Sequence, residues 1–228
     1  MKNKPYQTGM TLIEIMIAML IGAFLLGGVI QIFIGSKQTN RMQEGLSRLQ
    51  ENGRFALDFL AKDIRMAGYR ECLTFTVPTP ITGTNDTGLN SSDTITIQLS
   101  TGACGANVVS TIAYSVQNGA GGQPALFKRN DAAAAQELVE GIENMQILYG
   151  VDTNNPHDGA NYYVPADPAL DWPNVVSIRI SLLVRTIDDN LTAQTLLYNF
   201  NDVNNINPGD RRIRRVFTST IAVRNRLP

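Results

Sequence analysis

The stretch GMTLIEIMIAMLIGAFLLGGVIQIFIG, residues 9–35, decides the architecture. From Met10 to Ile34 it carries one charge, Glu14, and few polar side chains, Thr11 and Gln31. Wound as an α-helix, this run is about 37 Å long, enough to cross a bilayer. A carboxylate near mid-membrane costs on the order of 2.5–3.5 kcal/mol and is tolerated mainly with a partner. A secretory signal peptide would show an apolar region of about 7–15 residues closed by a small-residue cleavage site. Here the run is longer, and the helical pattern continues beyond it. A plain membrane anchor explains the length but not Glu14.

Downstream, residues 36–68 keep a helical period. Met42, Leu46, Leu49, Gly53, Ala56, Leu60, Ile64 and Ala67 recur every three or four positions and make one stripe. Glu44 with Arg48 and Asp58 with Lys62 stand at i,i+4 in the favourable order. A single helix of about 55 residues is therefore expected, its first half in lipid and its second half facing a core. Gly22, Gly27, Gly28 and Gly35 each weaken that helix by up to about 1 kcal/mol relative to Ala, which makes them candidate points of local stretching.

After Gly68 the period changes to two. Residues 93–99, 109–116, 145–151, 176–185 and 213–223 read as strands. The cleanest alternation sets Val176, Ile178, Ile180, Leu182 and Val184 against Ser177, Arg179, Ser181, Leu183 and Arg185. No second long helical pattern separates the strands, so parallel βαβ units are not expected. The fold expected is α+β, one long N-terminal helix packed on an antiparallel sheet. Polar, Gly- and Asn-rich segments at residues 82–92, 118–123, 153–161 and 199–209 read as surface loops.

Chemistry is sparse. The chain of 228 residues has a formal net charge of −1, which gives no support to nucleic-acid binding by the chain as a whole. Cys72, Cys104 and the single His157 are too few nitrogen and sulfur ligands for a zinc site. The two cysteines are either a disulfide or free thiols, as the compartment dictates. There is no nucleophile elbow, zinc-protease helix or nucleotide-binding loop, so no catalytic residue, metal or cofactor is assigned. Asp152, Asn154 and Asp158 lie near one another in sequence, but Pro156 breaks an EF-hand spacing. Arg211, Arg212, Arg214 and Arg215 are the densest basic run. They read either as contacts for DNA or an acidic partner or as charges at a sheet edge or strand start that discourage aggregation, and the second reading is preferred.

The order of parts at the N-terminus resembles a type IV prepilin. A short basic leader with Lys2 and Lys4 ends in Gly9, a retained apolar helix follows, and Glu14 is the fifth residue after the Gly. Met10 stands where the family usually has Phe, and Gln7 and Thr8 where a basic residue often precedes the Gly. ENGRFALDFLAKDIRMAGYREC, residues 51–72, resembles the end of the long helix in the PilW family of minor pilins. VVSIRISLLVRT and RRVFTSTIAVRN resemble its C-terminal strands. The resemblance implies a leader over 1–9, a transmembrane and filament-core half-helix over 10–35, a sheet-packed half-helix over 36–68 and a β domain over 69–228. It implies cleavage by prepilin peptidase between Gly9 and Met10, N-methylation of Met10, and an assembly role for Glu14. It also implies a non-enzymatic subunit, held in the bacterial inner membrane with its globular domain in the periplasm and later found at the pilus tip. The expected partners are other minor pilins, the major pilin, a tip adhesin and the inner-membrane assembly platform. In that compartment Cys72 and Cys104 should pair, closing a loop worth about 3.7 kcal/mol at most. The rival readings are a type II secretion minor pseudopilin and a membrane-anchored periplasmic binding protein or enzyme with an uncut N-terminus.

Overall fold

The structure is a computed structural model and describes residues 9–72, 74–102, 104–106, 108–154 and 158–226. Helix α1 spans Leu12–Arg65, continuous through all four glycines of its first half. Two compact units are present, Met1–Glu44 and Gly45–Pro228. In the first, none of the described side chains is buried.

In the second unit, α1 buries Gly45, Leu49, Gly53, Ala56, Leu60, Asp63 and Ile64. The stripe is thus mostly as expected, but Met42 and Leu46 are only half-buried while Gly45 and Asp63 join the core. Gly45 is covered because the Leu191 and Thr186 side chains approach it within 3.0 and 3.6 Å of where a Cβ would stand. Gly53 is a close-approach point, since a Cβ there would sit 2.6 Å from the Phe217 ring. Asp58 and Lys62 form no ion pair among the described residues. The helix ends at Arg65, and the turn after it closes at Gly68, whose φ of +71° suits glycine and whose N–H donates to Gln98 O at 2.8 Å.

The β structure is antiparallel, as expected, but divided. Strands β1 (Ile81–Thr84), β2 (Thr94–Thr101), β3 (Val108–Asn118), β4 (Pro124–Asn130) and β5 (Gln136–Glu140) form a five-stranded meander in that order. Strands β6 (Ile142–Val151), β7 (Tyr162–Val164), β8 (Val175–Arg185) and β11 (Arg214–Ala222) form a second sheet, ordered β11-β8-β6-β7. The chain passes from one sheet to the other at Gly141, between β5 and β6. Asp93 splices them again: its carboxylate accepts from Asp86 N–H (2.8 Å) and Ile147 N–H (2.7 Å). One core cluster joins α1 to both sheets, with Leu60, Ile64, Ile97, Tyr114, Met145, Tyr149, Ile178 and Ile180 at its centre.

Two expected loops contain strands. Residues 81–84 pair with β2, where Ile81 is buried and Gly83 lies against the Tyr149 hydroxyl. Residues 199–209 hold most of a two-stranded ribbon, β9 (Tyr198–Phe200) with β10 (Val203–Ile206). Asn201 and Asp202 turn it with φ of +50° and +62°, a conformation these short polar residues tolerate. The ribbon explains a further departure. Leu183, grouped with the polar row of β8, is buried and lines a hollow with Tyr198 and Phe200.

Candidate functional site

The N-terminal site begins at Gly9 and Met10, which precede the helix and are exposed. Thr11 caps α1: its Oγ1 accepts from Glu14 N–H at 3.4 Å, and its carbonyl accepts from Glu14 and Ile15 N–H at 3.1 and 3.3 Å. Thr11 and Glu14 therefore occupy the first and fourth positions of a T-x-x-E capping sequence. Glu14 lies in the first turn, where the positive end of the helix dipole favours a carboxylate. The signal for this role is the T-L-I-E spacing of residues 11–14, which the apolar run around it masks. The Glu14 side chain makes no reciprocal bond among the described residues. It remains available to a further cation.

From Met10 to Ile34 the large apolar side chains are all exposed, Leu12, Phe24 and Ile32 by three-quarters or more. A cylinder of this length and polarity is suited to lipid or to other helices, not to water.

Beyond the helix, Cys72 and Cys104 form a disulfide with Cα atoms 5.2 Å apart. It ties the segment after α1 to the connection between β2 and β3. Tyr69 O accepts from Ser100 N–H at 2.8 Å beside it, so the crosslink reinforces a backbone contact.

Two polar clusters that periodicity did not reveal lock the second unit. Asp63, buried on the helix stripe, accepts from Tyr114 Oη at 2.5 Å and from Lys128 Nζ at 2.6 Å. Burial and the adjacent Asp63 raise the Tyr114 pKa, so the phenol stays protonated as the donor. The second cluster absorbs half of the basic run. Arg214 bonds Glu143 through Nε (2.6 Å) and Asp210 through both terminal nitrogens (2.6 and 2.8 Å), and its guanidinium stacks over Tyr198 at 5.4 Å. Arg212 donates to the carbonyls of Thr186 and Ile187. Arg214 is 3% exposed, so it is not part of a basic face. Arg211 and Arg215 are exposed. The bonds from Arg214 hold the Asp210 carboxyl below its ordinary pKa.

The acidic loop after β6 is organised around Asp152, which is fully buried. Its oxygens accept from the N–H groups of Asn154 (2.8 Å), Asp158 (2.8 Å) and Gly159 (2.9 Å). The carboxylate that a calcium ion would need is thus committed to the loop's own backbone. Pro156 and His157 lie outside the described residues. Among those described, no three His, Cys, Asp or Glu side chains cluster as metal ligands.

Comparisons with known proteins agree with this arrangement at both ends. The family described as Type IV Pilus-assembly protein W matches residues 113–225, from β3 to the last residues after β11. The Prokaryotic N-terminal methylation motif matches residues 4–30. A solved type IV-like pilin from Thermus thermophilus aligns with 79% of this chain and all of its own, at 14% identity and a TM-score of 0.48. No curated relative matches. With the methylation motif on its apolar helix and the pilus-assembly region across its strands, the chain belongs to the PilW family of type IV minor pilins.

Proposed function

We propose that the protein is a structural subunit that enters a type IV pilus through its N-terminal helix and takes no part in catalysis. The observation that carries this reading is the arrangement at Gly9, Met10 and Glu14: a leader, a cleavable glycine, then a capped apolar helix with one carboxylate in its first turn. Before assembly the helix lies in the inner membrane and residues 45–228 lie in the periplasm, where the Cys72–Cys104 disulfide is stable. Prepilin peptidase cuts between Gly9 and Met10, creating an amine that is then methylated. A second subunit's new amine approaches Glu14, which offsets part of the cost of a charge in the apolar bundle. During assembly the exposed apolar surface of the helix exchanges lipid contacts for contacts with other helices. The subunit then sits at the tip with other minor pilins above the major pilin, helping to prime assembly on the inner-membrane platform and to display a tip adhesin.

N-terminal mass spectrometry of the protein from membranes and from sheared pili tests this. The expected mature chain starts at methylated Met10 and occurs in the sheared fraction. An intact N-terminus retaining Lys2, or absence from sheared pili, would overturn the proposal.

A further inference from the structure

Just past its apolar run, α1 carries two cations on one face. Lys37 and Arg41 stand at i,i+4, and both are exposed. Residues 35–43 contain no Asp or Glu, and polar uncharged side chains fill most of the other positions. Neither cation has an acidic partner among the described residues.

The geometry aims both side chains back at the apolar end. In an α-helix every Cα–Cβ bond tilts towards the N-terminus, and here that is the side of the apolar run. Lys37 displays the lean, with its Nζ over the Phe33 ring at 5.9 Å from the centroid. Phe33 is itself an exposed member of the run. Residues 12–34 make a rod of about 33 Å, close to the roughly 30 Å of bilayer hydrocarbon, so the end of the run and the edge of the hydrocarbon coincide. Along the axis Lys37 lies about 4.5 Å beyond Ile34 and Arg41 about 10.5 Å beyond it. The headgroup layer on one side of a bilayer is about 5–7 Å deep. Lys37 therefore starts inside that layer. Arg41 starts just above it and leans back into it on a long apolar stem.

We propose that Lys37 and Arg41 form a lipid headgroup site on the periplasmic side of α1, selective for anionic phospholipid before assembly. A phosphodiester without an amine of its own accepts charge-assisted bonds from both cations. In a zwitterionic lipid the headgroup amine offsets that attraction. The site also alters the balance between the two ends of the helix. Cleavage after Gly9 removes Lys2 and Lys4, and no Lys or Arg lies within residues 10–34. Lys37 and Arg41 are then the side-chain cations nearest to the apolar run. Headgroups hold the mature helix at its outer end, through contacts that break as it is drawn outward into a pilus. The inference rests on the pilin reading above.

Native mass spectrometry of the full-length chain, released from nanodiscs of equal phosphatidylglycerol and phosphatidylethanolamine, tests it. The wild type should retain phosphatidylglycerol in excess. Lys37→Gln with Arg41→Gln should reduce that excess by roughly tenfold or more, whereas Lys37→Arg with Arg41→Lys should keep it. Lys62→Gln with Arg65→Gln, the same change of net charge in the last turn of α1, should leave it unaltered. Lys2 and Lys4 are present in every variant and cancel from the comparison. Equal retention of the two lipids by wild type would overturn the proposal. So would an unaltered excess in the Lys37→Gln, Arg41→Gln chain, or an equal loss in the Lys62→Gln, Arg65→Gln chain. An unaltered lipid excess combined with poor entry into pili would assign the pair to acidic groups of a neighbouring subunit and also overturn it. Failure of the wild-type chain to enter nanodiscs is a separate result, which removes the membrane step of the pilin reading and this inference together.

Discussion

Replacing Asp63 with Ala probes the buried contact that binds α1 to the five-stranded sheet. Among the described residues, the change removes the only close acceptor of Tyr114 Oη, which would keep Phe59 O at 3.4 Å, and the only ion partner of Lys128. A buried hydroxyl left with a poor partner costs about 1–2 kcal/mol. Lys128 is 22% exposed and can turn partly to water, so its loss is nearer to 1 kcal/mol than to the 3–5 kcal/mol of a fully enclosed pair. Ala is the better helix former, which returns about 0.5 kcal/mol. The net expectation is a loss of about 2 kcal/mol, or a fall in Tm of roughly 4–8 °C for a unit of this size. Thermal unfolding followed by near-ultraviolet circular dichroism, with the disulfide intact, reads it. Lys128→Met and the double variant complete a cycle whose coupling energy should exceed about 1 kcal/mol. A stability within about 0.5 kcal/mol of wild type, or purely additive variants, would show that the short distances carry no energy and refute the reasoning.

Three other expectations follow from separate parts of the molecule. Glu14→Ala should insert into membranes at least as well as wild type but enter pili poorly; fractionation of membranes and sheared pili checks this, and normal incorporation would count against the assembly role. Cys72→Ser with Cys104→Ser should lower stability by up to about 3.7 kcal/mol, measured by denaturant midpoint, with no change in membrane insertion. Asp210 titrates below the ordinary carboxylate range because Arg214 bonds it; a lowered folded pKa contributes stability that is present above the unfolded value near 3.8 and lost as pH falls through the folded value. Asp210→Asn should therefore flatten the acid limb of the stability–pH curve below about pH 4 without steepening its alkaline side.

Residues 9–35 settled the long helix because a bilayer-length apolar run is a local property, set by composition and length alone. Strand identity in residues 145–151 and 176–185 was legible for a similar reason: period-two alternation records which side chains share a face. What alternation does not record is what covers that face. Leu183 became core only because the β9–β10 ribbon, drawn from a segment rich in Asn, folds over the second sheet. Asp63 became core only because Tyr114 and Lys128 arrive from 51 and 65 residues away. The basic run changed meaning in the same way, since Glu143 lies 71 residues before Arg214 and neutralises it in place. The sequence by itself determined the anchoring helix, the capped carboxylate in its first turn and the antiparallel character of the rest. Tertiary structure alone decided the division into two sheets at Gly141 and the polar locks beneath α1 and the ribbon. These depend on contacts between residues far apart in the chain, whose desolvation and hydrogen bonding no local pattern contains.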